Sequence, residues 1–425
     1  MASRRHTGPV LTGIFTLCAL AVGFLGVNAA LDLTQPARAD ADTVIEFQVQ
    51  PGESVAAVAD RLQHQGLIRS ALVFRVAAQA RRGVVRPGIY NLTSDMTTAA
   101  VVSRLVGGQP DQPLVIVPPG MRLVVVPPGR RVTQYPTLFS SLPAFNASNF
   151  LKIVSSGVVP GGGKISASYW FVAPKHGGTY YALEGYLLPG TYFVPEGDDE
   201  IKVIDRLLDA LGDKLCPGPD DAHADAYVHD RAQCEAHAAQ LTVGTSHVSV
   251  FVEMRKRYFT TDDVAALYNA LSLASLVARM TPSDAGASGV ADVYYNRYLT
   301  AHANRLSPYR EYVQNLDADA STEYVRDSTR PPTNGNWWTP LGAPAVSVDS
   351  WSAYNTAVRD NTGLPPGPIA APTWVDIAAA AAADDPMASP YYFVAADRCG
   401  QAHFAKTLSA FQSVAARTSL GCFPG

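Results

Sequence analysis

The chain has 425 residues and a mass of 45.2 kDa, with 47% hydrophobic and 16% charged residues. That is too long for one ordinary domain and too apolar for a disordered polymer. A formal net charge of −4 removes any global electrostatic case for nucleic acid, and a mean hydropathy of +0.03 is too low for a polytopic membrane protein.

Arg4 and Arg5 precede a charge-free run, Val10 to Val27. A helix of that length reaches about 27 Å, close to the thickness of a bilayer's hydrocarbon core. The basic flank keeps the N-terminus cytoplasmic. Residues 1–30 are therefore expected to be a cytoplasmic stub and a single-pass anchor in the plasma membrane, with the rest outside the cell. The competing reading is a signal peptide cleaved after Ala37-Arg38-Ala39. Residues 31–43 read as a polar linker.

A small module is expected over 44–110. VIEFQVQ alternates like a half-buried strand, and Ser54 caps a helix to about Gln65. A second helix covers Ser70–Arg81, RPGIYNLT is turn and strand, and Thr97 or Thr98 starts a third helix. VIVPPGMRL and VVVPPGRRV then form a local repeat, read as two strands broken by Pro-Gly turns.

Residues 111–425 are read as a larger domain. Late helices mixed with isolated strands give the whole chain an α+β class. Helices are expected at about Asn149–Val154, Asp199–Leu211 (stopped near Gly212), from Thr261 onward, at 373–383 and at 406–417, with YYFVA as a strand. Residues 134–182 include aromatic strand-like stretches, and 300–350 are read as loop-rich.

Apart from Cys18 in the apolar run, the cysteines form two sequence-close pairs, Cys216 with Cys234 and Cys399 with Cys422. Local disulfides are the chosen connectivity of three, as expected outside the cytoplasm. His223, His229 and His237 share the first segment, but their spacing matches no zinc pattern.

Glu184 is the most informative carboxylate. Its neighbours are Tyr181, Leu183, Tyr186, Leu187, Leu188 and Tyr192, surroundings that should raise its pKa by desolvation, as a general acid needs. The alternative is a structural pairing with an arginine. Asp319 in LDADASTEY is a second carboxylate, which an Asx turn would also explain. Tyr354-Asn355-Thr356 offers hydroxyls and an amide suited to sugar groups. His403 reads as an orienting hydrogen-bonder.

These phrases, in this order, resemble the membrane-anchored endolytic murein transglycosylase (YceG-like) family. VQPGESVAAVADRL, LIRSALVF and RPGIYNL match its LysM-like module. LEGYLLPGTY is the strongest single match; LASLV, VYYNRYL, LDADASTEY, SAYNT, GLPPGPIAAP and GQAHFAKT follow. The resemblance implies a lytic transglycosylase that cleaves the MurNAc–GlcNAc β-1,4 bond inside peptidoglycan strands and leaves 1,6-anhydro-MurNAc ends. It makes Glu184 the catalytic acid/base and needs no metal or organic cofactor. Tyr192, Asp319, Tyr354, Asn355 and Thr356 are the residues expected to bind substrate. Family logic also implies peptidoglycan-synthesising enzymes as neighbours. The chain departs from the family after LASLV, where Ala278, Arg279 and Met280 replace a phrase with acids, and at Ala320, where the family has proline. A catalytically degenerate peptidoglycan-binding protein is the alternative those departures motivate.

Overall fold

The computed structural model describes residues 34–37, 43–123, 135–218, 228–281, 284–302, 315–332, 337–358, 360–384, 388–397 and 399–418. The Val10–Val27 run, the second repeat copy, Cys18, His223 and Cys422 lie outside them. Among the described residues no helix is long and apolar enough to cross a membrane. The chain divides into two compact units, one of Met1–Val115 with Phe193–Glu196, the other of Ile116–Tyr192 with Gly197–Gly425.

The first unit follows the strand-helix-helix-strand-helix order. Strand β1 (Val44–Val49) leads to α1 (Val55–His64), whose N-cap Ser54 accepts from Ala57 N–H. α2 (Ala71–Arg81) is capped by Ser70 and ends at Arg82 in the left-handed region, φ 53°. β2 (Gly88–Thr93), α3 (Thr98–Leu105) and β3 (Gln112–Val117) complete it. β1 and β2 pair antiparallel, Val44 opposite Thr93 through Val49 opposite Gly88, and β2 meets β3 at Gly88–Pro113. Residues 193–196 run beside β3, where Val194 N–H donates to Pro113 O at 3.0 Å. The alternation of β1 puts Phe47 and Val49 inward, onto Val58 and Leu62 of α1, Phe74 of α2 and Leu105 of α3.

In the second unit, short helices α4 (Tyr135–Leu138), α5 (Ala147–Ser156) and α6 (Ile165–Ser168) lead to strand β4 (Gly190–Phe193) and the long α7 (Glu200–Leu215). α8 (Arg231–Ala236), a hairpin of β5 (Gln240–Val243) and β6 (Ser246–Ser249), and α9 (Val250–Arg257) follow. Next come α10 (Asp263–Met280), α11 (Ala287–His302), α12 (Asp319–Thr329) and α13 (Trp374–Ala382). A second hairpin, β7 (Phe393–Ala396) with β8 (Ala402–Ala405), packs against α14 (Leu408–Thr418).

α10 is the centre of this unit. It packs against α9, α11, α12 and α13 and buries Ala266, Leu267, Ala270, Leu271, Leu273, Ala274, Leu276 and Val277. Burial on successive residues means every face is covered, and the alanines and serines let neighbours approach closely. The NR of VYYNRYL is structural. Asn296 Nδ2 donates to Tyr391 O (2.9 Å), and buried Arg297 donates to Tyr392 O (2.7 Å) and Leu316 O (2.9 Å).

Four local expectations are corrected. α7 continues past Gly212 to Leu215, because that glycine makes room for Val228, into which a Cβ would run. The aromatic stretch near Tyr169–Val172 forms turns after α6, with no strand. Residues 240–249, where no strand was expected, form the β5–β6 hairpin. LDADASTEY is not loop, since α12 starts at Asp319.

Cys216, the C-cap of α7, and Cys234 in α8 are joined by a disulfide with Cα atoms 5.0 Å apart. Cys399 is also disulfide-bonded. Closing a loop the length of 216–234 stabilises by about 3 kcal/mol in the chain-entropy account. Cys216→Ser with Cys234→Ser should therefore lower the melting temperature by several degrees, and an unchanged melting curve would show that the segment joining α7 to α8 needs no staple.

Candidate functional site

Glu184 lies in a turn of the second unit. Ala182 and Leu183 N–H donate to Val154 O, at 2.9 and 3.1 Å. Tyr135 OH donates to Leu187 O and Tyr192 OH to Leu188 O, each at 2.6 Å. Gly185 has φ +82°, and a Cβ there would strike Pro368. Gly185 of LEGYLLPGTY and Pro368 of GLPPGPIAAP thus meet in one packed junction. The second phrase is stitched in turn to residues 120–121, Gly120 N–H to Ala371 O (2.9 Å) and Ala371 N–H to Met121 O (2.6 Å). Ser275 of α10 accepts from Ile369 N–H at 3.0 Å.

These connections aim two donors at one carboxyl. Glu184 Oε1 accepts from Leu123 N–H at 2.9 Å, and Oε2 accepts from Tyr324 OH at 3.0 Å. The residue is 3% exposed. Burial pushes its carboxyl up to about 8, against the lowering effects of the Leu123 N–H, the Arg122 guanidinium and the Tyr324 hydroxyl. Dehydration outweighs three groups that favour the anion, so the side chain is an acid at neutral pH, with its conjugate base already provided for.

Arg122 organises the surroundings. Its guanidinium donates to Tyr324 O (3.1 Å) and to Ser328 Oγ, and lies 3.9 Å from Asp327 Oδ2. It stacks on the rings of Tyr324 (4.3 Å), Trp337 (4.9 Å) and Trp338 (5.2 Å). Arg279, from the end of α10, covers Trp338 at 4.1 Å; burial pulls it down to about 10. Trp338 is held in the left-handed region, φ 62°, and its N–H donates to Asp327 Oδ2 at 2.9 Å. Such strain persists only where surrounding contacts fix the residue, and here two cations and Asp327 do so. Half-buried Glu323, next to Tyr324 on α12, is pushed up to about 7 by burial despite Arg326 and Arg279.

Of the residues singled out from sequence, the structure brings Tyr354 to Glu184's surroundings. Its ring lies 5.1 Å from Tyr324 and 5.6 Å from Tyr180. Tyr192 lies behind the Glu184 turn, bonded to Leu188. Asn355 and Thr356 face inward and are 0% and 1% exposed. Asn355 Nδ2 donates to Ala345 O (2.8 Å), and its Oδ1 accepts from Thr322 Oγ1 (3.2 Å). Thr356 Oγ1 accepts from Ala318 N–H (3.0 Å) and lies 2.9 Å from Ser321 Oγ. Their polar groups brace the start of α12, the helix that carries Tyr324. Asp319 is the exposed first residue of α12 and makes no contact with Glu184 among the described residues. His403 pairs with Asp397 at 3.2 Å in the β7–β8 hairpin.

Sequence reasoning did not assign Arg122, the Leu123 N–H, Glu323, Tyr324 or Trp338, and met Arg279 only as a departure. PPGMRL and LDADASTEY were visible as phrases, but nothing local shows that Leu123 and Tyr324 converge on Glu184. Tyr324→Phe tests the arrangement. It keeps the ring stack and removes one donor to the carboxylate, so the pKa of Glu184 should rise further in a carboxyl-resolved titration. An unchanged pKa would mean the hydroxyl does not act on the acid.

One carboxyl raised by burial, two neutral donors to it and a layer of tyrosine rings are what this site offers chemically. A family model described as "YceG-like family" matches residues 47–417, and the chain belongs to that family. Two curated proteins of Streptococcus pneumoniae, both named endolytic murein transglycosylase, are similar to it. The strain D39 protein is 23% identical over 369 residues, covering 85% of this chain and 56% of that protein. The strain R6 protein is 25% identical over 211 residues, covering 48% and 38%. The chain thus spans about half or less of the length of these relatives. A crystal structure of a YceG-like protein from Listeria monocytogenes aligns with a TM-score of 0.45 at 19% identity, covering 88% of this chain and 99% of that one.

Proposed function

We propose that this chain is an endolytic lytic transglycosylase that cleaves the MurNAc–GlcNAc β-1,4 bond of peptidoglycan. The observation that carries the reading is the protonated Glu184 carboxyl, with donors waiting for its anion. Glu184 protonates the glycosidic oxygen. The Leu123 N–H, the Tyr324 hydroxyl and the Arg122 charge hold the carboxylate that results. That carboxylate then takes the proton from the C6 hydroxyl as its oxygen attacks C1 of the same sugar, leaving a 1,6-anhydro end. One carboxyl acts twice, the attack within one ring has the advantage of proximity, and no second carboxylate is asked of Asp319. Because the carboxyl is 3% exposed, the sugar enters by displacing part of the ring layer around Tyr180 and Tyr354.

In the same proposal the Val10–Val27 run is a single-pass anchor with the N-terminus cytoplasmic, which puts both units on the side where peptidoglycan lies. The 44–110 module, LysM-like by its phrases, holds glycan, and peptidoglycan-synthesising enzymes are neighbours. The names of the streptococcal relatives support the substrate class. The test is digestion of purified peptidoglycan with products read by mass spectrometry. Internal fragments with anhydro ends are expected. Reducing ends would replace the lytic route by hydrolysis. Binding without release would favour a non-catalytic peptidoglycan-binding protein, the reading that Ala278, Arg279 and Met280 motivate.

A further inference from the structure

The first unit has a charge and an exposed surface that its fold does not use. Residues 44–110 hold seven arginines against four acids, Glu46, Glu53, Asp60 and Asp95, a net of +3 in a chain whose total is −4. Arg61 pairs with Glu53, Arg75 with Asp60 and Arg104 with Asp111. Arg81, Arg82 and Arg86 are exposed and join no ion pair among the described residues. All three lie at or just beyond the C-terminal end of α2.

Apart from Gln79, the outer face of that helix is apolar. Ala71, Phe74 and Ala78 point into the core. Leu72 and Val76, one turn apart on the opposite side, are 69% and 61% exposed, and Val84 beyond the helix end is 74% exposed. Together on one helix and its following turn they form an exposed apolar patch, the kind of surface that marks an interaction site.

The incoming chain fixes where this helix stands. Arg69, just before α2, donates through Nε to Pro36 O at 2.7 Å. Pro36 is nine residues beyond Val27, the end of the apolar run. Nine residues reach at most about 30 Å, so Pro36, which Arg69 holds, stays within that distance of the point where the run ends. We infer that the exposed face of α2, with Leu72 and Val76 inserting and Arg81, Arg82 and Arg86 on phosphates, docks on the anionic lipid headgroups of the membrane that holds the anchor. This rests on the membrane placement proposed above. Side chains of this mixed kind, apolar with guanidinium neighbours, suit the headgroup boundary. The docked module lies flat on the bilayer instead of swinging on its linker.

The experiment uses the full chain, reconstituted at one copy per nanodisc. One set of discs contains phosphatidylglycerol with phosphatidylcholine, the other phosphatidylcholine alone. Amide hydrogen exchange is followed over residues 71–86. Slower exchange in the anionic discs is expected, weakened by raised salt. Each arginine replaced by glutamine should reduce the docked-to-undocked ratio about fivefold, so Arg81→Gln with Arg82→Gln and Arg86→Gln should abolish the difference. Leu72→Ser with Val76→Ser should do so too. Equal exchange in both disc types overturns the proposal. Slowing that appears only with added glycan strands, or only at two copies per disc, assigns the face to glycan or to a second copy and also overturns it. A chain that fails to enter the discs sinks the membrane placement itself, whereas entry with unprotected α2 sinks the docking alone.

Discussion

Glu184→Gln is expected to lose glycan cleavage and, above neutral pH, to melt at a higher temperature than the wild type. Both effects come from the same proton. The carboxyl has an ordinary value of 4.5 and is held at about 8 in the folded chain. Between those values the folded state keeps a proton that the unfolded chain has released, so stability falls as pH rises through the window. Below it both states are protonated and Glu184 adds no pH dependence. Above it the fold carries a dehydrated carboxylate, costing roughly 5 kcal/mol in all at about 1.4 kcal/mol per unit. Glutamine is neutral throughout. Its amide oxygen accepts from Leu123 N–H, and its amide nitrogen donates to the Tyr324 oxygen. The variant should therefore show a flatter stability profile than the wild type over that window. Activity should drop at least about a hundredfold, the usual scale of a lost general acid. Melting curves at pH 5 and pH 9 decide the physical part. If the two proteins keep the same difference at both, Glu184 is not the acid described.

Arg122→Gln and Arg122→Lys separate charge from packing. The Arg122 cation holds the Glu184 value below where burial alone would put it. Removing the charge should move the alkaline limb of the activity profile to higher pH, since the acid form then persists longer. It should also slow the reaction, because the carboxylate formed on proton donation loses its cation. Arg122→Lys keeps the charge and leaves the limb near its place. Both variants lose the planar fork between Tyr324 O and Ser328 Oγ and the stack on Tyr324, Trp337 and Trp338. Gln also takes the cation from Asp327, leaving it Arg326 and the Trp338 N–H, so a stability loss of about 3 kcal/mol is expected with Gln and a smaller one with Lys. Equal pH profiles for Gln and Lys would reduce Arg122 to a packing residue.

The first unit was legible because its signals are local. Ser54 caps the helix expected of it, Ser70 and Thr97 cap helices that start where helices were expected, and the alternation of VIEFQVQ is that of β1. The burial of Glu184 was legible too, from the apolar and aromatic residues beside it. The rest of the site was not, because its partners lie far away in sequence. Leu123 and Tyr324 reach Glu184 across 61 and 140 residues, and no spacing rule links them. Gly212 shows a different limit. A glycine near a helix end resembles a stop, yet here it is a point of close approach to Val228. Asn355 and Thr356 have the chemistry of sugar ligands, but hydrogen bonds within the protein occupy them. Polar residue type alone does not distinguish the two uses.

The burial of α10 on every face sets an order of opening. A helix covered by α9, α11, α12 and α13 exposes its amides only when those neighbours separate, so they should exchange at the rate of global unfolding. Ser275 on that helix holds Ile369, and Arg279 at its end covers Trp338. The phrase packed against Gly185 and the tryptophan near the acid are therefore tied to the slowest-opening element of the unit, so partial unfolding at the periphery can occur while the acid keeps its neighbours.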